Sequence, residues 1–224
     1  MTKKLFVSTV ALTISLTCWD SITSLADSND KTTTMVSHSQ KWSEQQSVSP
    51  AHYSIMNQKI HIESALAYVQ KWWNKRNPDY KIWDPNDCVN YVSQILIAGG
   101  FQEKTPPSIA FGGIDPDRNY WYSKKEGTNS FTVSRTWINV EDFYTYWSKT
   151  QRVIQPEKLD IMRDIEVGDV VQLQSKSGGR YSHIMFVVQK DMKTIYLTGH
   201  TNDREALDIQ TIKDTYNFRV IKFS

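Results

Sequence analysis

The chain alternates between segments of helical and of strand-like hydrophobic spacing, and the first helical pattern follows a long polar stretch. Apolar positions there recur every three or four residues, as on one face of a helix: Ile62, Leu66, Val69 and Trp73. The pattern ends at Asn77-Pro78, because the residue before a proline is pushed out of the α region. The spacing therefore predicts one amphipathic helix before residue 77.

Two further helices are predicted downstream. The second begins near Asp84-Pro85, a cap residue followed by proline at the first helical position, and stops at Gly99-Gly100. The third runs from Asn139, as its cap, to about Thr150. Their apolar faces are Val89, Val92 and Leu96 in the second helix, and Val140, Phe143, Tyr144 and Trp147 in the third.

The hydrophobic period then changes from that of helices to that of strands. Segments rich in Val, Ile, Phe and Tyr are separated by polar turns: Asp169–Gln174, His183–Gln189, Thr194–Gly199 and Tyr216–Phe223. Helices followed by an antiparallel sheet predict an α+β fold. Residues 51–224 contain no internal repeat and are predicted to form one domain.

The N-terminal segment has the three parts of a secretory signal peptide. Lys3-Lys4 form a positive start, residues 5–16 an apolar run, and Ser24-Leu25-Ala26 a small-x-small cleavage site. The apolar run is too short to span a bilayer, which takes about twenty residues. Residues 1–26 are therefore predicted to be removed, leaving a secreted chain that is extracellular or associated with the cell wall.

Two alternatives concern this N-terminal part of the chain. A lipid anchor on Cys18 is less favoured, because Ser15-Leu16-Thr17 lacks the small residue that lipid attachment needs before the cysteine. Residues 27–50 are polar and predict a flexible spacer, since they bury too little apolar surface to offset the entropy of ordering. A pro-segment anchored by Trp42 is the alternative to a spacer.

Composition and charge narrow the functional classes. Lys and Arg number 26 against 24 Asp and Glu, a formal net charge of +2 that gives a nucleic-acid partner no electrostatic support. With 8 Trp, 11 Tyr and 8 Phe, the chain can fill a core and still line a cleft. Two cysteines exclude a disulfide-stapled miniprotein and a multi-cysteine zinc module. Removal of residues 1–26 leaves Cys88 unpaired, so we expect it to be either buried or chemically used.

Cys88 is the main candidate for chemistry. It falls in the first turn of the second predicted helix, where unsatisfied backbone N–H groups and the helix dipole favour a thiolate with a lowered pKa. The preceding run Asp84-Pro85-Asn86-Asp87 is polar and predicts an exposed helix end. The pattern therefore favours a nucleophilic cysteine over a buried structural one.

A cysteine nucleophile needs a base, and His183 is the histidine best placed for that role. It opens a strongly apolar strand after a polar turn, whereas three of the other four histidines lie in polar segments. If the hairpin turns about residues 190–193, His183 faces His200, which would then orient the imidazole as the third member of a triad. Asn202 has the same parity and competes for this third role. A cross-strand histidine pair without function is also open.

Several motifs occur in order along the predicted domain. They are Asp87-Cys88-Val89-Asn90-Tyr91-Val92-Ser93-Gln94 with Leu96 and Ala98-Gly99-Gly100, Ser134 and Trp137 with Phe143-Tyr144, Gly168-Asp169-Val170-Val171-Gln172, Ser182-His183, and His200-Thr201-Asn202-Asp203. In this combination, the segment from about 60 to 224 resembles the putative amidase domain of Gram-positive secreted proteins.

The resemblance implies a papain-like fold related to the CHAP amidohydrolases, which cut cell-wall peptides. It implies Cys88 as nucleophile and His183 as base, and it supports His200 less, because the third position varies in that superfamily. No glutamine stands a few residues before Cys88 as in papain. The oxyanion hole is therefore expected to rest on the backbone N–H of Cys88, helped by Asn86 or Tyr80.

Two metal sites are less favoured alternatives. One is a calcium loop with EF-hand-like spacing, made of Asp115, Asp117, Asn119 and Glu126. Tyr120 stands where such a loop needs glycine, which favours an ordinary surface loop. The other is a zinc site of Cys88, His183 and His200, whose spacing matches no zinc motif. No metal or other cofactor is predicted.

The sequence therefore predicts a secreted, monomeric cysteine amidohydrolase that acts on peptidoglycan or another peptide, without membrane contact after signal removal. Trp137 either lines the substrate groove or packs in the core, and Asp87 is expected to cap the helix rather than steer the active site. A non-catalytic wall-binding module of the same fold is the main alternative. An acyltransferase that passes the acyl group to an amine is another.

Overall fold

The computed structural model describes residues 58–109 and 112–224, which belong to one compact unit. The predicted signal segment and spacer lie outside the described residues and stay predictions. None of the described helices is long and apolar enough to cross a membrane.

The helices lie mainly in the first half of the described chain. They are α1 (Ile62–Trp72), α2 (Cys88–Ala98), α3 (Arg135–Ile138), α4 (Val140–Trp147) and α5 (Ile161–Asp164), with 3-10 turns at Pro156–Lys158 and Ile209–Thr211. As predicted, Asn139 caps α4, since its side-chain oxygen accepts the N–H groups of Glu141 and Asp142 at 3.1 Å each.

The predicted start of the second helix at Asp84-Pro85 is wrong. The N–H of Asn86 donates to the carbonyl of Trp83 at 2.7 Å, which closes a turn, and the helix begins three residues after Pro85. Asp87 occupies the N-cap position and Cys88 is the first helical residue. The cysteine is therefore closer to the helix terminus than the sequence suggested.

A six-stranded antiparallel sheet forms the second half of the fold. Its strands are β4 (Val153–Ile154), β5 (Val170–Ser175), β6 (His183–Lys190), β7 (Ile195–Gly199), β8 (Arg204–Asp208) and β9 (Tyr216–Ile221), in the order β4-β9-β5-β6-β7-β8. A smaller sheet, in the order β1-β3-β2, consists of β1 (Gly113–Asp115), β2 (Ser123–Lys125) and β3 (Phe131–Ser134). The helices and the large antiparallel sheet confirm the α+β class.

The two faces of the large sheet belong to different hydrophobic clusters. Along β6, Ile184 and Phe186 pack in the cluster that includes α2 and Cys88, whereas Met185 and Val187 pack in the other cluster. This alternation follows from the two-residue period of a strand. The first cluster thus holds the start of α2 against one face of β6.

Candidate active site

Cys88 borders a cavity of about 330 Å³ at the start of α2. The walls come from the helix start, the start of α4 and the loop before β6: Asn86, Cys88, Val89, Ile138, Asn139, Val140, Glu141, Arg180, Tyr181 and Ser182. The cysteine itself is only 6 % exposed, so the expectation of an open helix end is wrong for this residue. The strand β6 packs over it.

The surroundings of the Cys88 thiol favour its neutral form. Burial raises the pKa of the thiol above its usual value, and the neighbouring Asp87 carboxylate raises it further. The backbone of Ile184 and Val89 and the nearby Thr201 hydroxyl oppose this rise, although Thr201 Oγ1 makes no hydrogen bond of standard geometry among the described residues. The lowered pKa predicted from the helix position is therefore wrong, because desolvation outweighs the helix terminus.

Asp87 does not cap α2. Its side chain makes no capping hydrogen bond and instead accepts from the side-chain amide of Asn90 at 2.8 Å and from the N–H of Trp83 at 3.3 Å. The predicted capping role is wrong, because the carboxylate is turned into the protein, where it is 1 % exposed. The first N–H groups of α2 are consequently without a side-chain cap, next to Cys88.

His200 is fixed by contacts to both ring nitrogens. Nδ1 lies 2.6 Å from Oδ2 of Asp87, and Nε2 lies 3.0 Å from the carbonyl oxygen of Trp72. The ring stacks on Tyr91 with centroids 3.7 Å apart. Since both nitrogens are occupied, His200 cannot orient His183 through a hydrogen bond in this arrangement, which contradicts the predicted contact between them.

The hairpin register explains this difference. Phe186 pairs with Thr198, but a bulge between Val187 and Gln189 shifts the pairing by one residue. Continued toward the start of β6, the Phe186–Thr198 register places Ile184 opposite His200. The predicted pairing of His183 with His200 is therefore off by one residue, which puts the two side chains on opposite faces of the sheet.

His183 lies next to the Cys88 site along β6 but faces away from it. It pairs with Leu173 of β5, which belongs to the cluster on the far face of the sheet. With Asn202 and His200, it borders a second cavity of about 220 Å³. Among the described residues, no hydrogen bond joins its ring to Cys88. Burial lowers the pKa of His183, which favours the neutral imidazole that a general base requires.

Of the remaining predicted site residues, some line the Cys88 cavity and others do not. Asn86 is exposed and lines the Cys88 cavity. Trp137 is fully buried, and its indole N–H donates to Oδ1 of Asn90 at 2.8 Å, so the groove-lining alternative is wrong. Tyr80 stacks on Trp137 and does not line the cavity, so its predicted oxyanion role lacks support.

Residues of both alternative metal sites already make hydrogen bonds within the protein. Asp115 accepts from the N–H of Asp117 and from the hydroxyl of Tyr122, at 2.9 and 2.8 Å. His200 has both nitrogens occupied, as described above, and offers no lone pair to zinc. Within residues 58–109 and 112–224, no group of three or more His, Cys, Asp and Glu side chains is arranged to hold a metal ion.

One polar cluster beside the cavity was not predicted from the sequence. Glu141, at the start of α4, receives a hydrogen bond from Arg219 of β9 at 3.0 Å. The Arg219 guanidinium lies between the rings of Tyr144 and Tyr181, 3.5 and 3.9 Å from their centroids. An arginine at an inward position of an apolar strand was the available signal, but its partner lies 78 residues away in the chain.

Two curated proteins resemble this chain over part of its length. The uncharacterized protein YhbB of Bacillus subtilis is 30 % identical over 127 residues, which cover 57 % of this chain and 36 % of YhbB. The uncharacterized protein YjcM of the same organism is 38 % identical over 88 residues, which cover 37 % of this chain and 21 % of YjcM. The matched region thus spans about a third or less of each relative. No solved structure matches the chain significantly.

A family model covers nearly the whole described part of the chain. The match extends over residues 59–222 and includes α2, the large sheet and both cavities. By this match, the chain belongs to the putative amidase domain family.

Proposed function

We propose that this protein is a cysteine amidohydrolase in which Cys88 is the nucleophile and His183 the base. The observation that carries the proposal is the position of the Cys88 thiol: it lies at a helix N-terminus without a side-chain cap, on a cavity, against the backbone of Ile184. The adjacent residue in the strand is His183. Membership of the putative amidase domain family supports amide chemistry.

The thiol and the imidazole are both neutral at rest in this proposal. His183 removes the Cys88 proton as the sulfur attacks the amide carbonyl carbon, so the base and the nucleophile act together. Catalytic contacts are often long in an enzyme without substrate and tighten in the complex. His183 is the first residue of β6, and we infer that a local rearrangement of this strand start brings the ring to the thiol.

The tetrahedral oxyanion then needs hydrogen-bond donors. The backbone N–H of Cys88, at the uncapped start of α2, is the first donor, and the side chain of Asn86 is the second. The C–N bond breaks as His183 returns its proton to the leaving amine, which leaves an acyl thioester on Cys88. Water, deprotonated by His183, attacks the thioester and releases the carboxylic acid and the thiol.

Asp87 and His200 have a positioning role in this proposal. Their contact ties the residue before Cys88 to the end of β7. Arg76 joins them through an ion pair with Asp87 at 3.5 Å, and it also pairs with Asp84 and Asp203. Asn202 borders the cavity that contains His183, so it replaces His200 as the residue proposed to orient the base.

We further propose that the substrate is a peptide amide of the cell wall and that the chain is exported. The signal-like segment at residues 1–26 supports export. The narrow cavity beside Cys88, with charged and polar side chains on its walls, fits a peptide better than an apolar molecule.

Digestion of purified peptidoglycan by the full chain tests this proposal. We expect new amine and carboxyl ends, identified by mass spectrometry, and their loss in Cys88→Ala. Lys193→Ala, an exposed substitution in the turn after β6, serves as the control with full activity. Binding without new ends would support a wall-binding module instead. New amine ends together with an amide of the added amine, in place of new carboxyl ends, would support an acyltransferase.

A further inference from the structure

Arg180 is an unpaired cation on the wall of the Cys88 cavity. It is exposed, it lines the cavity together with Cys88 and Asn86, and no ion pair or hydrogen bond engages its side chain within the described ranges. An unpaired guanidinium with its planar set of donors is suited to a carboxylate.

Glu141, the acidic residue on the same wall, makes hydrogen bonds with residues other than Arg180. Its Oε1 accepts the backbone N–H of Tyr181 at 3.0 Å, and its Oε2 accepts from Arg219 at 3.0 Å. Arg219 is itself held between two tyrosine rings and bonded to Gln172. The Glu141 charge is therefore compensated by Arg219, and the net charge left on the cavity wall is the positive charge of Arg180.

The backbone on either side of Arg180 is fixed. The side-chain amide of Gln174 donates to the carbonyl of Gly179 at 2.5 Å, and the N–H of Tyr181 is bonded to Glu141. These contacts hold the Arg180 backbone beside the cavity while its side chain stays free to move. Arg180 is thus placed like a ligand-binding residue on a rigid support.

The cavity is also small. Its volume of about 330 Å³ is near the lower end of the range for small-molecule sites, ~300–1,000 Å³. A substrate group that meets Arg180 therefore lies close to the amide that Cys88 attacks. The uncapped N–H groups of α2 add a second positive influence on the same space.

We propose that Arg180 binds a carboxylate of the substrate next to the scissile amide, so that the enzyme selects peptides with a free acidic group at that place. This inference rests on the proposed function and specifies its substrate class. Arg180 acts in substrate selection, through a charge-assisted hydrogen bond, and takes no part in proton transfer.

A binding measurement in the full-length Cys88→Ala variant tests the inference without turnover. The probes are a muramoyl peptide with free carboxylates and the same peptide with its carboxylates converted to amides. We expect calorimetry to show ~10-fold tighter binding of the free carboxylate form, as for a hydrogen bond between charged groups. Adding Arg180→Ala should abolish the preference, and Arg180→Lys should keep part of it.

The matched control is Lys193→Ala in the same Cys88→Ala background, which removes one positive charge at the other end of β6. It should leave the preference unchanged. Equal binding of the two probes, or a preference that survives Arg180→Ala, would overturn the inference. Turnover of the probes by the chain with Cys88 intact is scored separately, so an inactive enzyme that still prefers the carboxylate would reject the amidohydrolase proposal alone.

Discussion

The imidazole of His200 lies 2.6 Å from the carboxylate of Asp87, and the two residues are 2 % and 1 % exposed. They are 113 positions apart in the chain, and Asp87 immediately precedes Cys88. The contact thus fixes the entrance of α2 to the end of β7. It makes the geometry at Cys88 depend on a buried polar pair.

Breaking this pair should destabilise the fold. In Asp87→Asn the charge that faces both His200 and Arg76 is lost, and breaking one partner of a buried pair costs about 3–5 kcal/mol. Urea unfolding should show a lower free energy of unfolding by that amount. Asp84→Asn is the matched control, because Asp84 pairs with Arg76 at a half-exposed position and should contribute less than about 1 kcal/mol. Similar losses in both variants would contradict the account.

The Cys88 thiol should lose its proton only at a higher pH than a free cysteine. Because burial raises its pKa, the rate of alkylation by iodoacetamide should rise with an inflection above the ~8.5 of a free cysteine. The Cys18→Ser chain leaves Cys88 as the reporting thiol. Thr201→Val should shift the inflection further upward, since the Thr201 hydroxyl lowers the pKa of the thiol. An inflection below that of a free cysteine would restore the prediction of a preformed thiolate.

The loss of activity at low pH should follow the protonation of His183. Burial lowers the pKa of its imidazole, so the neutral base persists below the usual histidine range and is lost only as the pH falls through the lowered value. The profile of kcat/KM should therefore have an acid midpoint below ~6.5, the value of an unperturbed histidine. A midpoint above that value would exclude His183, as placed here, as the base.

Substitutions of Asn202 and of His200 should affect different properties, the first activity and the second stability. Asn202→Ala should lower kcat and move the acid midpoint while leaving the unfolding midpoint in place, since Asn202 is exposed and borders the His183 cavity. His200→Ala should instead lower the unfolding midpoint, because it removes the buried partner of Asp87. If His200→Ala changed the acid midpoint with unchanged stability, His200 would be the orienting residue after all.

The sequence predicted well those helices and strands that depend on residues close together in the chain. The cap at Asn139 and the apolar stripe that follows it specify α4 within a few residues, and the apolar runs of β5 and β6 are equally direct. β8 has an exposed start and lacks such an apolar run, so it was missed. Propensity and period are properties of short windows, and they locate elements more reliably than they locate contacts.

The arrangement of the site depends on contacts between residues that are far apart in the chain, and no short sequence segment contains both partners. A single bulge after Val187 changed the side of the sheet on which His200 lies, and nothing in the turn residues 190–193 indicates that bulge. The pKa of Cys88 likewise follows from its burial by β6, a tertiary effect that outweighs the helix terminus. The sequence offered candidate residues for the site, whereas the side chains that contact them could not be predicted from it.

Capture of an acyl-enzyme is the sharpest test of whether Cys88 is the nucleophile. The full chain is mixed with a wall peptide, quenched in acid within the first turnovers, and analysed by intact-mass and fragment-mass spectrometry. We expect an added mass equal to the acyl part of the peptide, located on Cys88, removed by hydroxylamine and absent from Cys88→Ala. Turnover by the Cys88→Ala variant at the rate of the unaltered chain would show that Cys88 is not the nucleophile.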